Sequence, residues 1–196
     1  FFSTKNFQIL GSGFPAKLDI DVLCRNAVYS KSFIFSILID ISRVKNLVIS
    51  SLLLKYLVIF PECGPMPWLR DLTYLNAKFS ILELEILPKV LENCPKLESL
   101  ILEVVKDMRH NMNTEPYMMF STVPSCFVTS LKYVELKRLI SKYEGEIELV
   151  RYLLKNSTVL EKLKLDTHYS KKTMSAFLKK AIAMPRSSSA CEVIVP

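Results

Sequence analysis

Residues 146–165, EIELVRYLLKNSTVLEKLKL, decide how this chain folds. Ile147, Val150, Leu153 and Leu154 recur at three- and four-residue spacing, which makes one apolar face on a helix. The acids at its start suit the positive end of the helix dipole. Leu160, Leu163 and Leu165 then follow at i, i+3 and i+5. The last two point to the same face of a short strand, because side chains alternate along a strand. A helix feeding a strand is the crossover that a parallel sheet needs. One such unit cannot bury its own apolar face, so neighbours must stack on it.

The same triplet recurs along the sequence. Pro15, Leu18, Ile20 come first, followed by Val44, Leu47, Ile49 and Leu72, Leu75, Ala77. Leu97, Leu100, Leu102 and Leu131, Val134, Leu136 continue the series. Leu160, Leu163, Leu165 and Ala190, Val193, Val195 complete it. The spacings between starts are 29, 28, 25, 34, 29 and 30 residues. Leucine-rich repeats run at roughly 20–29 residues with an L-x-x-L-x-L strand signature. The sequence therefore predicts an α/β leucine-rich-repeat-like solenoid of about seven units, with parallel strands alternating with helices. Val48, Asn76, Ile101, Glu135 and Lys164 lie between the inward residues and are expected on the outer face.

The connecting segments predict helices over 83–93, 146–158 and 170–184. Pro88 is tolerable in the first turn of the first. Ser170 is the expected N-cap of the last, whose apolar face is Met174, Phe177, Leu178, Ala181 and Ile182. Pro185 stops it, and Lys171, Lys172, Lys179 and Lys180 fall on its other faces. Two inserts interrupt the rhythm. PECGPMP at 61–67 reads as a loop before Trp68. The segment 105–129 carries Met108, Met112, Tyr117, Met118, Met119 and Phe120, and reads as a packed surface loop ahead of a partner-binding insert.

Composition excludes several classes of function. Half of the 196 residues are hydrophobic and only four are glycine, which argues against disorder and against a phosphate-cradling loop. The net charge is +7, and all of the excess lies between Lys132 and Arg186, where thirteen Lys and Arg face six Asp and Glu. The five cysteines, at 24, 63, 94, 126 and 191, form no close pair, so they read as buried apolar groups in a reduced compartment. His110 and His168 have no ligand spacing around them. No metal or other cofactor is expected. Glu83, Glu85, Glu144, Glu146 and Glu148 sit at helix starts and turns, where dipole and solvation roles suffice. No catalytic constellation is present, so the chain does not read as an enzyme. The N-terminus is not a signal peptide. The apolar runs at 30–41 and 47–60 stop well short of the roughly 20 residues of a membrane helix. A soluble intracellular protein, cytoplasmic or nuclear, is expected, with no membrane partner. The basic C-terminal third admits phosphate contacts. Its cations are interleaved with acids and carry few aromatics for base stacking, so solvated helix faces are the reading and nucleic acid is the alternative.

Four stretches carry a resemblance. LPKVLENCPKLESLIL at 87–102 resembles the helix-and-strand unit of plant F-box/leucine-rich-repeat proteins, and VKNLVIS at 44–50 matches that repeat style. SLKYVELKRLISKYEGEIELVRYLLKNSTVLEKLKL at 130–165 is similar to the FBD domain that closes many of them. RSSSACEVIV at 186–195 is similar to the serine-rich turn and strand that end that domain. On this resemblance, residues 1–123 are the leucine-rich-repeat region and 124–196 an FBD domain continuing the solenoid. It implies a protein-interaction module. In that family an N-terminal F-box binds a Skp-type adaptor of a cullin-RING ubiquitin ligase, and the repeats present a protein substrate. No F-box is legible ahead of the first unit, so the adaptor is expected only where one lies upstream. The chain reads as part of such a receptor or as a truncated relative without ligase recruitment. The strand positions Asn76, Ser99, Lys132, Glu135, Lys137, Lys162 and Lys164 are the candidate protein-binding surface; plain solvated surface is the competing reading.

Overall fold

The i+3 residue of each triplet sets the register of the sheet. In the computed structural model, which describes residues 17–20, 43–49, 66–105, 120, 122–139, 144–167 and 171–195, Leu18, Leu47, Leu75, Leu100, Val134, Leu163 and Val193 are successive parallel partners. The strands are β1 (Lys17–Ile20), β2 (Asn46–Ile49), β3 (Tyr74–Ser80), β4 (Ser99–Val105), β5 (Tyr133–Leu139), β6 (Lys162–Thr167) and β7 (Glu192–Ile194). They form one seven-stranded sheet in chain order. The fold is thus α/β, a parallel sheet alternating with helices, as the periodicity predicts.

Packing follows the triplets. From β2 to β6 the i, i+3 and i+5 side chains are buried, from Val44, Leu47 and Ile49 to Leu160, Leu163 and Leu165. Helices cover this inner face: α1 (Leu87–Glu92), the short α2 (Cys126–Thr129), α3 (Glu144–Asn156) and α4 (Lys171–Ile182). Leu87, Val90, Leu91, Phe127, Val150, Leu153 and Ala181 join the strand residues in one core cluster.

The strands β3 to β7 are each also tied to the turn before the preceding strand at their entrance. The Lys45 carbonyl accepts from the Thr73 and Tyr74 amides at 2.9 and 3.0 Å. The Thr73 carbonyl accepts from Glu98 and Ser99, Glu98 from Lys132 and Tyr133, and Lys132 from Glu161 and Lys162, all at 2.9–3.0 Å. Glu192 donates to the Glu161 carbonyl at 2.9 Å. One backbone oxygen per turn therefore satisfies the amides that lead into the next strand, leaving no buried donor orphaned there.

Helix ends repeat a device of their own. Asn93 Nδ2 donates to the Lys89 carbonyl at 3.0 Å and Asn156 Nδ2 to Tyr152 at 2.8 Å. Arg186 Nη2 donates to Ile182 at 3.2 Å. Each stands four residues before the start of a triplet and donates to the carbonyl four residues before it, near the end of the helix. Ser188 Oγ and the Ser187 amide then fasten the last turn to the Leu160 and Leu154 carbonyls, at 2.6 and 2.9 Å.

The structure corrects three expectations. The helix expected over 83–93 is a 3-10 segment over Ile81–Ile86 followed by α1, with Pro88 in its first turn. An α-helix begun at 83 would place Pro88 in its interior, where the ring collides with the preceding turn. α3 starts two residues ahead of the expected 146–158 and stops at Asn156. Glu146, read as a solvated helix-start acid, is fully buried. The exit of the 105–129 insert is packed: Phe120 stacks on Tyr152 with ring centres 4.4 Å apart, and the Tyr152 hydroxyl donates to the Thr122 carbonyl at 2.7 Å. Burial pushes that phenol well above its ordinary range. The rest of the insert, the 61–65 loop, the Ser170 cap, Met174 and both histidines lie outside the described residues or side chains.

The β5–β6 pairing is interrupted between Leu136 and Leu139, and Arg138 there has φ 59°. That left-handed conformation costs a non-glycine residue about 1–2 kcal/mol. Arg138→Val is expected to destabilise by a further ~1–2 kcal/mol, since β-branching disfavours positive φ more strongly. Arg138→Gly should stay within about 1 kcal/mol of the parent. Urea midpoints for the two variants check this, and a neutral valine variant would contradict it.

Candidate protein-interaction face

Side chains that alternate with the buried rows form the outer face of the sheet. Tyr74, Ser99, Tyr133 and Lys162 make one row. Asn76, Ile101, Glu135 and Lys164 make the second, and Lys78, Glu103 and Lys137 a third. Strands lie about 4.8 Å apart, so counterparts on neighbouring strands are within reach of one another.

Two carboxylates organise the charges. Glu135 accepts from Lys164 Nζ at 3.0 Å and from the Tyr133 hydroxyl at 3.2 Å. Glu103 faces Arg138 Nη1 at 3.1 Å and Lys78 Nζ at 3.9 Å. Burial, and then the Glu135 charge, raises the Tyr133 phenol above its ordinary value. The hydrogen bond to Glu135 raises the Lys164 ammonium. The first shift keeps the phenol neutral and the second keeps the ammonium protonated, so both groups stay hydrogen-bond donors to Glu135.

Of the seven expected surface residues, Asn76, Ser99, Glu135, Lys137, Lys162 and Lys164 lie on outer rows. Glu135 differs from expectation in being only 8% exposed, because Tyr133 and Lys164 close over it. It shapes the face rather than presenting itself. Lys132 lies one residue ahead of β5 and pairs at 3.2 Å with Glu161, the equivalent residue of the next turn. It belongs to the rim. Ile101 is on the outer row yet 4% exposed, a short apolar floor between Asn76 and Glu135. Tyr74, Lys78, Glu103, Tyr133 and Arg138 were missed. The alternation that gave Asn76 and Lys164 would have given the first four if carried to positions i+2 and i+6. Arg138 sits in the bulge, which periodicity cannot foresee.

The face supplies cations, amide groups, phenols and two neutralised acids: the means of recognition. Among the described residues, no group of three His, Cys, Asp or Glu is placed to hold a metal ion. No described helix is long and apolar enough to cross a membrane. Cys94, Cys126 and Cys191 are free and buried. Burial pushes the Cys126 thiol up to about 12 and Cys94 higher still. At pH 8 the Cys126 thiolate fraction is then about 10⁻⁴, so alkylation of Cys94 and Cys126 in the native chain should be at least about 100-fold slower than in urea. Peptide-resolved mass spectrometry after iodoacetamide reads this; equal rates would mean these thiols reach solvent.

Comparison with known proteins agrees with this architecture. The FBD family model matches residues 120–165, from the Phe120 ring stacked on α3 to the last buried leucine of β6. An F-box/FBD/LRR-repeat protein of Arabidopsis thaliana is 56% identical over 99% of this chain and 46% of its own length. Two others from the same plant are 38% and 37% identical, over 98% and 97% of this chain and 44% and 41% of their own lengths. The chain therefore spans less than half the length of these curated relatives. No solved structure matches it.

Proposed function

We propose, from the premise that this chain is homologous over 99% of its length to plant F-box/FBD/LRR-repeat proteins and carries their FBD segment, that it is the substrate-recognition part of an F-box ubiquitin-ligase receptor. On this reading the chain does no chemistry. Its seven strands belong to seven leucine-rich units, with residues 1–123 forming the repeat region. The FBD runs over 124–196, beyond the matched 120–165, because α4 and β7 extend the same register. A Skp-type adaptor would join through an F-box in a longer chain, and the outer face would hold the protein substrate.

The observation that supports this best is the homology itself, which runs through every strand and the FBD together. The face adds a physical reason: Glu103 holds Lys78 and Arg138, and Glu135 holds Tyr133 and Lys164, in place on the sheet. Preorganised groups lose little freedom on binding.

Affinity capture from plant extract by the wild-type chain, beside a Lys137→Glu/Lys162→Glu variant, tests the reading. A protein retained by the wild type and lost with the variant, at unchanged circular dichroism, supports it. Equal retention by both would remove the outer face from the proposal. If a full-length relative with the same repeats recruits no Skp-type adaptor, the ligase role goes as well.

A further inference from the structure

The carbonyl that admits each new strand follows one rule until the last turn. Lys45, Thr73, Glu98 and Lys132 each stand one residue after the start of a triplet, and each carbonyl receives the two amides that enter the next strand. Glu161 keeps the same place and receives the Glu192 amide at 2.9 Å. In the last turn the place falls to Cys191, one residue after Ala190. Its carbonyl accepts from a side chain instead: Arg186 Nη1, at 2.7 Å. The guanidinium takes the acceptor that the amides of a further strand would use.

Arg186 is itself a departure from the pattern. It lies four residues before Ala190, where earlier turns carry Asn93 before Leu97 and Asn156 before Leu160. Both asparagines donate to the carbonyl four residues back, that of Lys89 at 3.0 Å and that of Tyr152 at 2.8 Å. Arg186 repeats this bond through Nη2, to Ile182 at 3.2 Å, and has a second arm left for Cys191. A short asparagine amide does not span both carbonyls, whereas a guanidinium carries five N–H donors in a fixed fork. A bond from a charged donor is also roughly twice as strong as a neutral one.

β7 is an edge that needs a guard. Among the described strands it pairs with β6 alone. Ala190 is exposed, and Val193 and Val195 are only half-buried against the core, unlike the buried triplets of β2 to β6. An apolar edge with open backbone groups is a template for another strand, most readily one from a second copy. β7 is also cut to three residues, against six or seven in β3 to β6, which is another way of blunting an edge.

We propose that Arg186 closes the sheet: by occupying the Cys191 carbonyl it prevents β7 from taking a further strand from a second copy of this chain. This role is independent of what the outer face binds.

Arg186→Asn isolates it. Asparagine keeps the bond to the Ile182 carbonyl, as Asn93 and Asn156 keep theirs, and releases the carbonyl of Cys191. Sedimentation velocity on the 196-residue chain reads the result over a concentration series. The parent should sediment as a monomer throughout. The asparagine variant should associate with Kd on the order of 10–100 µM, at least about tenfold more tightly than the parent. Lys180→Ala, which removes a charge from the exposed surface of α4, should behave as the parent. Ile194→Lys added to Arg186→Asn should restore the monomer. A lysine on an edge strand opposes pairing, and Ile194 lies on the outer side of β7, in register with Lys164. The proposal is overturned if Arg186→Asn stays monomeric, whether or not its unfolding midpoint falls. It is equally overturned if the parent or Lys180→Ala associates as tightly as Arg186→Asn, or if the double variant associates undiminished.

Discussion

Leu136→Asp is expected to abolish the cooperative unfolding transition of this chain. Leu136 lies in the middle of β5, is fully buried, and pairs with Leu102 on one side and Leu165 on the other. The change removes about 2–3 kcal/mol of apolar burial. It also places a carboxylate in the core, which costs several kcal/mol more whether it ionises or takes up a proton. The total of roughly 5 kcal/mol or more rivals the whole stability of an ordinary domain. Neighbours would fail with it, because a stacked array is held by nearest-neighbour contacts. Circular dichroism on heating, with limited proteolysis, gives the answer. Leu136→Met is the control and should cost less than about 1.5 kcal/mol. An aspartate variant that melts like the parent would mean that this row is not the core.

The second large effect is expected at Phe127. It is among the largest fully buried side chains, with its ring centre 5.3 Å from that of Tyr152. Phe127→Ala should cost about 3–5 kcal/mol, the range for an aromatic core residue whose site cannot collapse. Val128, the next residue, is 49% exposed, and Val128→Ala should stay within about 0.5 kcal/mol. Urea unfolding of both variants measures the contrast. Similar midpoints would show that α2 is held by its backbone bonds alone, chief among them Thr158 donating to the Phe127 carbonyl at 3.0 Å.

The sheet was legible because its signal is local and redundant. Leu97, Leu100 and Leu102 state a strand, its inner face and its register within six positions, and every later triplet repeats the statement. Helix ends were less legible. The start of α1 depended on how the chain resolves the presence of Pro88, and α3 moved by two residues because nothing local fixes its first turn. The outer face was read in part. Asn76, Lys137 and Lys164 follow from alternation alone, whereas the near-burial of Glu135 depends on Tyr133 and on Lys164 from the next strand. Such a closure is a property of neighbouring strands and leaves no mark in any one segment.

The carbonyls of Lys45, Thr73, Glu98 and Lys132 hold only the few residues that lead into each strand. What lies between these anchors may be 25 residues or 34 without disturbing the register. Doubling the length of a connection costs only about 0.6 kcal/mol in chain entropy. Descent with insertion is therefore cheap on the helical side of this molecule and dear at the strand entrances. A lineage built on such anchors can try new crossovers one at a time, and so acquire new partners while inheriting an old sheet.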